Sequence, residues 1–182
     1  MQPSFLLKAK LKEISGSAVT GLFYRSIDYR YISDPLNSIG STIHGGRYNQ
    51  KGTFEVLYLA PDQETAQKEA LKSLSKYIPP RVFLTIDVLL SKLINLEEDQ
   101  VIQLLGIKKE LLSSNWIVAD GESYTQKLGR IIYESELFEG IRYPSAQVAG
   151  KYNLAIFSDR LQKNSFVKVY DPHHNLRGEL EG

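Results

Sequence analysis

The chain contains no cysteine. Its absence excludes disulfides, thiol nucleophiles and cysteine-ligated structural zinc, and fits a reducing compartment. Charge of one sign is missing too: 22 lysines and arginines stand against 21 aspartates and glutamates, a formal net charge of +1. With no sustained Lys/Arg run, a general nucleic-acid-binding surface is not expected, although a local basic pocket is compatible with this balance. No apolar run approaches the roughly 20 residues that span a bilayer. Phe5-Leu6-Leu7 ends at Lys8, too short for the core of a secretory signal. These absences lead us to expect a soluble cytoplasmic protein. Histidine is scarce, with three residues. Adjacent His173 and His174 point to opposite sides of an extended chain, and no His/carboxylate ligand spacing occurs, so no metal site is expected. Also missing are the Gly-x-x-x-x-Gly-Lys phosphate loop, the Gly-x-Gly-x-x-Gly dinucleotide fingerprint and the Gly-x-Ser-x-Gly nucleophile elbow.

What is present suits one globular domain of 182 residues, long enough to bury about 70% of its unfolded surface. Its expected core runs from about 20 to 170, with a loose tail after Pro172. Residues 20–25 read as a short strand ending at Arg25. From Asp28 to Asn49 the chain is polar, holds Pro35, Gly40, Gly45 and Gly46, and lacks periodicity, as functional loops do. Residues 54–60 read as a strand with Phe54, Val56 and Tyr58 on one face. Pro61-Asp62 breaks it and offers Asp62 as a helix cap. Ala66, Ala70, Leu74 and Tyr77 follow at helical spacing up to Pro79-Pro80. Residues 81–88 alternate as a strand, with Val82, Leu84, Ile86 and Val88 on one face. Helices are expected over 98–112 and over about 122–137, the second stopped by Gly140. Strands are expected at 141–143, 153–158 and 166–170. The class is α+β, with strands clustered rather than alternating strictly with helices.

The most suggestive segment is Gly45-Gly46-Arg47-Tyr48-Asn49. Two glycines allow close backbone approach to a ligand, and a guanidinium, an aromatic face and an amide follow. Alone, it reads most simply as a turn before a strand. Arg25, Tyr58, Glu69, Ser145 and Asn153 also have plain structural readings. These are, in turn, a strand-end arginine, a core tyrosine, a solvated helix glutamate, a turn serine and a strand-start asparagine.

Taken together, Phe23-Tyr24-Arg25, Gly45-Gly46-Arg47-Tyr48-Asn49, Val56-Leu57-Tyr58-Leu59-Ala60, Thr65-Ala66-Gln67-Lys68-Glu69-Ala70, Tyr143-Pro144-Ser145-Ala146 and Asn153-Leu154-Ala155-Ile156-Phe157 resemble, in order and spacing, the RES domain family. That family is named for an arginine, a glutamate and a serine. The resemblance implies a fold like that of the ADP-ribosyltransferases, with central β-sheets flanked by helices. It also implies a toxin of a bacterial toxin–antitoxin pair that cleaves NAD as its substrate, with no further cofactor, and is held inactive by an antitoxin with an Xre-type helix-turn-helix. It maps the naming residues to Arg25, Glu69 and Ser145, and further binding residues to Arg47 and Tyr58. Tyr48 departs from the tryptophan common in relatives. Most of residues 89–130 match no motif.

The chemistry accounts for these residue types. Arginine forks suit the pyrophosphate of NAD, which makes Arg25 and Arg47 the candidates. Tyr48 and Tyr58 offer ring faces. Cleavage of the nicotinamide–ribose bond builds positive charge on the sugar, where Glu69 would be worth most in the transition state. Ser145 and Asn49 would hold ribose or nicotinamide by hydrogen bonds, and Asn153 is a further expected NAD-binding residue. The expected reaction is transfer to water or phosphate. Transfer to a protein side chain is the alternative within enzymes, and a catalytically silent binding module the alternative outside them. Retention of Arg25, Arg47, Tyr58, Glu69 and Ser145 together argues against the silent module.

Overall fold

A computed structural model describes residues 4–72, 79–173, 175–176 and 178–182. Strand β3 (Arg81–Asn95) organises the fold, because the alternation read over 81–88 continues past Val88. Leu84, Ile86, Val88 and Leu90 are all buried. On one edge β3 pairs antiparallel with β1 (Ser17–Asp28), which sets Arg25 opposite Leu84 and Asp28 opposite Arg81. It also pairs antiparallel with β6 (Phe166–Val169), and its end runs parallel to β4 (Gly140–Pro144). From β4 the sheet continues antiparallel through β5 (Tyr152–Ile156) to β2 (Leu57–Leu59).

The sheet then closes on itself. Ala60, just past β2, bridges to Tyr24 of β1. The Tyr24 N–H donates to the Ala60 carbonyl at 2.8 Å and the Ala60 N–H to the Tyr24 carbonyl at 2.9 Å. Successive side chains point to opposite faces of a strand, so the curled sheet has two apolar faces. Leu57 and Leu59, Leu154 and Ile156 join Val19, Phe23, Ile27 and the buried positions of β3 in the enclosed cluster. Ala155, Ile141, Tyr143 and Ile94 face outward, against α1 (Ser4–Leu11), α4 (Asp99–Leu105) and α5 (Tyr124–Tyr133). Among the described residues this makes one α+β unit. No helix there is long and apolar enough to cross a membrane.

Several boundaries differ from the sequence reading, each for a local reason. The helix expected over 98–112 stops at Leu105, where Gly106 takes the left-handed conformation (φ 63°, ψ 38°) and its N–H bonds back to Gln103 and Ile102. A 3₁₀ turn, Lys109–Leu112, follows. The helix expected to reach 137 begins at a capping box of Ser123 and Gln126 and ends at Tyr133. There the Ser135 hydroxyl takes the Ile132 carbonyl and Glu136 adopts φ 58°. The supposedly irregular stretch from Asp28 to Asn49 holds a 3₁₀ turn (Tyr29–Tyr31) and α2 (Ile39–His44), both too short to show periodicity. The tail is not loose. β7 (Glu179–Glu181) pairs with β6, and Leu176 and Leu180 pack on the enclosed core. Asp62 caps α3 (Gln63–Lys72) as expected, its Oδ1 accepting from the Thr65 N–H at 2.8 Å. Leu74 and Tyr77, assigned to this helix's apolar stripe, and His174 lie outside the described residues.

Glu139, fully buried, fastens the β3–β4 junction. Its carboxylate accepts from the backbone N–H groups of Ser91 (2.7 Å), Lys92 (2.6 Å) and Gln162 (2.9 Å) and from the Ser91 hydroxyl (3.0 Å). Burial alone would raise its pKa, but these bonds and the Ser165 hydroxyl outweigh that, holding it below the ordinary 4.5. Its contribution is therefore complete above pH 4.5 and lost as pH falls through the lower folded-state value. We expect Glu139→Gln to cost about 2–3 kcal/mol at neutral pH and to flatten the acid limb of the stability curve. Urea titrations at pH 7 and pH 3 check this, and equal midpoints for variant and wild type at pH 7 would contradict it.

Candidate active site

The Gly45–Asn49 turn is built by its neighbours. Gly45 caps α2 at φ 77°, a conformation side chains disfavour. The Gly46 N–H donates to the Asn49 carbonyl at 2.8 Å. A Cβ on Gly46 would lie 2.5 Å from the Tyr58 hydroxyl, so this glycine makes room for that oxygen. Tyr58 Oη accepts from the Tyr48 N–H at 2.9 Å and donates to Asn49 Oδ1 at 2.9 Å. Asn49 Nδ2 donates to the carbonyls of Ser41 (2.7 Å) and Phe54 (3.1 Å). From α5, Gln126 Nε2 donates to the Gly46 carbonyl at 3.0 Å. Gly129 lies directly on the Tyr48 carbonyl, where any Cβ would overlap it.

This geometry gives Tyr48 and Asn49 structural work. Both are fully buried and neither lines the cleft. The Tyr48 ring packs edge-on against Tyr143, centroids 4.6 Å apart, and burial raises the pKa of its hydroxyl. Its faces are therefore not offered to a ligand, contrary to the stacking role read from sequence.

The cleft itself, about 690 Å³, opens between β1, α2, α3 and the loop residues Trp116 and Ile117. Arg25, Arg47, Tyr58, Glu69 and Asn153 all line it, although they are scattered over most of the chain. Glu69 is the best organised of them. Its Oε1 accepts from the Ser145 hydroxyl at 2.6 Å and from Asn153 Nδ2 at 2.8 Å. Ser145 is itself oriented, accepting from the N–H groups of Gln147 (3.2 Å) and Val148 (3.1 Å). Glu69 Oε2 has no hydrogen-bond partner among the described residues. One carboxylate oxygen is thus locked and the other left available.

The arginines are partly engaged. Arg47, buried, donates from Nη1 to the carbonyls of Leu112 and Ser114, both at 2.8 Å. Arg25 donates from Nη1 to the Pro35 carbonyl and from Nη2 to the Asn37 carbonyl, both at 2.7 Å. A guanidinium has five N–H donors, so each retains donors for a ligand. Burial lowers Arg25 to about 10, with Asp34 opposing and the Arg81 charge assisting, so it stays cationic at neutral pH. Arg81 is a third arginine in the cleft, held by Ser26 through Nε–Oγ (2.7 Å) and Nη2–carbonyl (2.6 Å) bonds. Sequence reading missed it, because only the β1–β3 register brings it to Ser26 and the cleft. Trp116, also in the lining, was missed for a similar reason: nothing around it in the sequence marks its loop.

Arg25, Arg47 and Arg81 share the cleft lining with the oriented Glu69 carboxylate, a set of donors that suits an anionic ligand. Among the described residues no cluster of three potential metal ligands occurs. A family model for the RES domain matches residues 22–177. The chain belongs to the RES domain family. Its fold is similar to that in the crystal structure of the M. tuberculosis MbcT–MbcA toxin–antitoxin complex, with a TM-score of 0.66 and 16% sequence identity over 91% of this chain and 90% of that one. No curated protein matches the sequence. The RES domain match spans all six motif segments, from Phe23 through Phe157.

Gly129 provides the sharpest test of how the turn is held. In an ordinary helix interior Gly→Ala gains about 1 kcal/mol. Here the added methyl would push α5 off Tyr48, so Gly129→Ala should lose about 1–3 kcal/mol by overpacking. Thermal or urea unfolding measures this, and a more stable variant would contradict the contact.

Proposed function

We propose that this RES domain protein is the toxin of a bacterial toxin–antitoxin pair, cleaving the nicotinamide–ribose bond of NAD in the cytoplasm. The observation that carries the reading is the Glu69 carboxylate in an arginine-lined cleft, with Oε1 clasped by Ser145 and Asn153 and Oε2 without a partner among the described residues. The bond between ribose C1′ and the nicotinamide nitrogen breaks with its electrons going to nicotinamide, which leaves neutral. Positive charge passes to the ribose, where Glu69 stabilises it or orients a sugar hydroxyl. Water or inorganic phosphate forms the new C1′–O bond and releases a proton to solvent when water is the acceptor. The leaving group is cationic before cleavage, so the step needs no strong general acid. Arg25, Arg47 and Arg81 supply donors for the diphosphate.

The same site would serve transfer to a protein side chain, and only the acceptor distinguishes the two. A silent binding module is disfavoured, because fixing a half-buried carboxylate by two side chains while its other oxygen has no partner among the described residues serves no packing purpose. An uncontrolled NAD-cleaving enzyme harms its host, so we also propose an Xre-type antitoxin that covers the cleft. Exposed Ile39 and Ile43 on α2, beside cleft-lining Gly40 and His44, and exposed Ile117 offer apolar surface for it. DNA binding would fall to the partner, in keeping with this chain's net charge of +1.

Incubation with NAD, with and without phosphate, and mass spectrometry of the products tests this directly. We expect free nicotinamide together with ADP-ribose or ADP-ribose-1″-phosphate, and growth arrest with falling NAD when the chain is expressed alone. A modified protein would select the transferase reading. Intact NAD under every condition would overturn the proposal.

A further inference from the structure

Residues 113–121, between the 3₁₀ turn and the Ser123 cap of α5, carry Trp116, the chain's single tryptophan. The loop is tied at both ends to the Gly-Gly-Arg-Tyr-Asn turn and the residue after it. At one end Arg47 Nη1 holds the carbonyls of Leu112 and Ser114. At the other, Gln50 Nε2 donates to the Gly121 carbonyl at 2.9 Å. Between these ties Asn115 forms a local turn, its Oδ1 accepting from the Ile117 N–H at 3.2 Å. The result places Trp116 and Ile117 in the lining of the cleft.

Trp116 is half-buried there, and among the described residues its indole has neither a ring partner nor a hydrogen-bond acceptor. A large aromatic at a cleft wall with no ring pair and no acceptor for its N–H has a ring face and a donor left for a ligand. Tyr48, the aromatic residue of the Gly45–Asn49 turn, is sealed in the interior against Tyr143. The loop thus adds an indole to a cleft that Tyr24, Tyr58 and Tyr143 also line, while Tyr48 stays buried.

We propose that Trp116, on the loop that Arg47 and Gln50 tie to the Gly45–Asn49 turn, is a ring-stacking residue for a heteroaromatic base of the nucleotide substrate. This rests on the NAD-cleaving reading above and adds the specificity element for the ring. Either the adenine or the nicotinamide of a dinucleotide has the required chemistry. A stacked base is worth roughly a tenfold or larger effect on binding when the aromatic is removed.

The single tryptophan makes the test direct. Wild-type protein is titrated with a carbocyclic NAD analogue that cannot be cleaved and with ADP-ribose, following Trp fluorescence and calorimetry in parallel. NAD turnover is measured on wild type, Trp116→Phe and Trp116→Ala. We expect saturable quenching with the calorimetric Kd, a KM raised at least about tenfold in Trp116→Ala with kcat little changed, and recovery to within about threefold in Trp116→Phe. Quenching by ADP-ribose assigns adenine, and quenching by the analogue alone assigns nicotinamide. Wild-type turnover with silent fluorescence and an unaltered KM in folded Trp116→Ala would overturn this inference and leave the NAD reading standing. Absence of both turnover and analogue binding would overturn the two together.

Discussion

Two backbone hydrogen bonds between Tyr24 and Ala60 hold the working part of the molecule in register. They close the curled sheet where β1 meets the end of β2. Arg25 follows Tyr24 directly, Tyr58 lies two residues before Ala60, and Asp62, the cap of α3, lies two after it. The bridge therefore fixes the spacing between an arginine, the tyrosine under the glycine turn and the helix that carries Glu69. Opening that edge would leave each of these elements folded locally but would separate the walls of the cleft.

The two glutamates of the interior show how the same side chain serves opposite ends. Glu139 is fully buried and uses both oxygens in bonds to backbone and hydroxyl donors, which makes it a structural tie. Glu69 has one oxygen in the same kind of clasp and the other without a partner among the described residues. Full satisfaction stabilises a fold, whereas partial satisfaction at a cleft leaves interaction energy for a ligand. The turn at Gly45–Asn49 divides its roles similarly. Tyr48 and Asn49 are sealed in the interior, whereas Arg47 holds the carbonyls of Leu112 and Ser114 and also lines the cleft.

Much of the fold was legible because alternation and capping are local. β3 announced itself through Val82, Leu84, Ile86 and Val88, and Asp62 through its place after Pro61. Events resting on one residue or on three-residue strands were not. Gly106 ends α4 by a single left-handed residue, and β7 is too short for any period to emerge. At the site, the cleft brings together Arg25, Arg47, Tyr58, Glu69 and Asn153, with Ser145 supporting Glu69 from behind. The burial of Tyr48 was invisible because it depends on Gly129, eighty-one positions later (129 − 48), offering no side chain. Arg81 and Trp116 escaped notice because strand register and the carbonyl ties from Arg47, not spacing, bring them to the cleft.

The central claim is that the charge of Glu69 stabilises the cation formed as NAD breaks. Comparison of kcat with the calorimetric Kd for uncleavable NAD analogue, in wild type and Glu69→Gln, tests it most directly. Glutamine keeps the shape and can still accept from Ser145 and Asn153, so only the charge is removed. The account predicts a fall in kcat of about 10²–10³ with Kd changed by no more than a few fold. A folded Glu69→Gln protein that consumes NAD at the wild-type rate would contradict it.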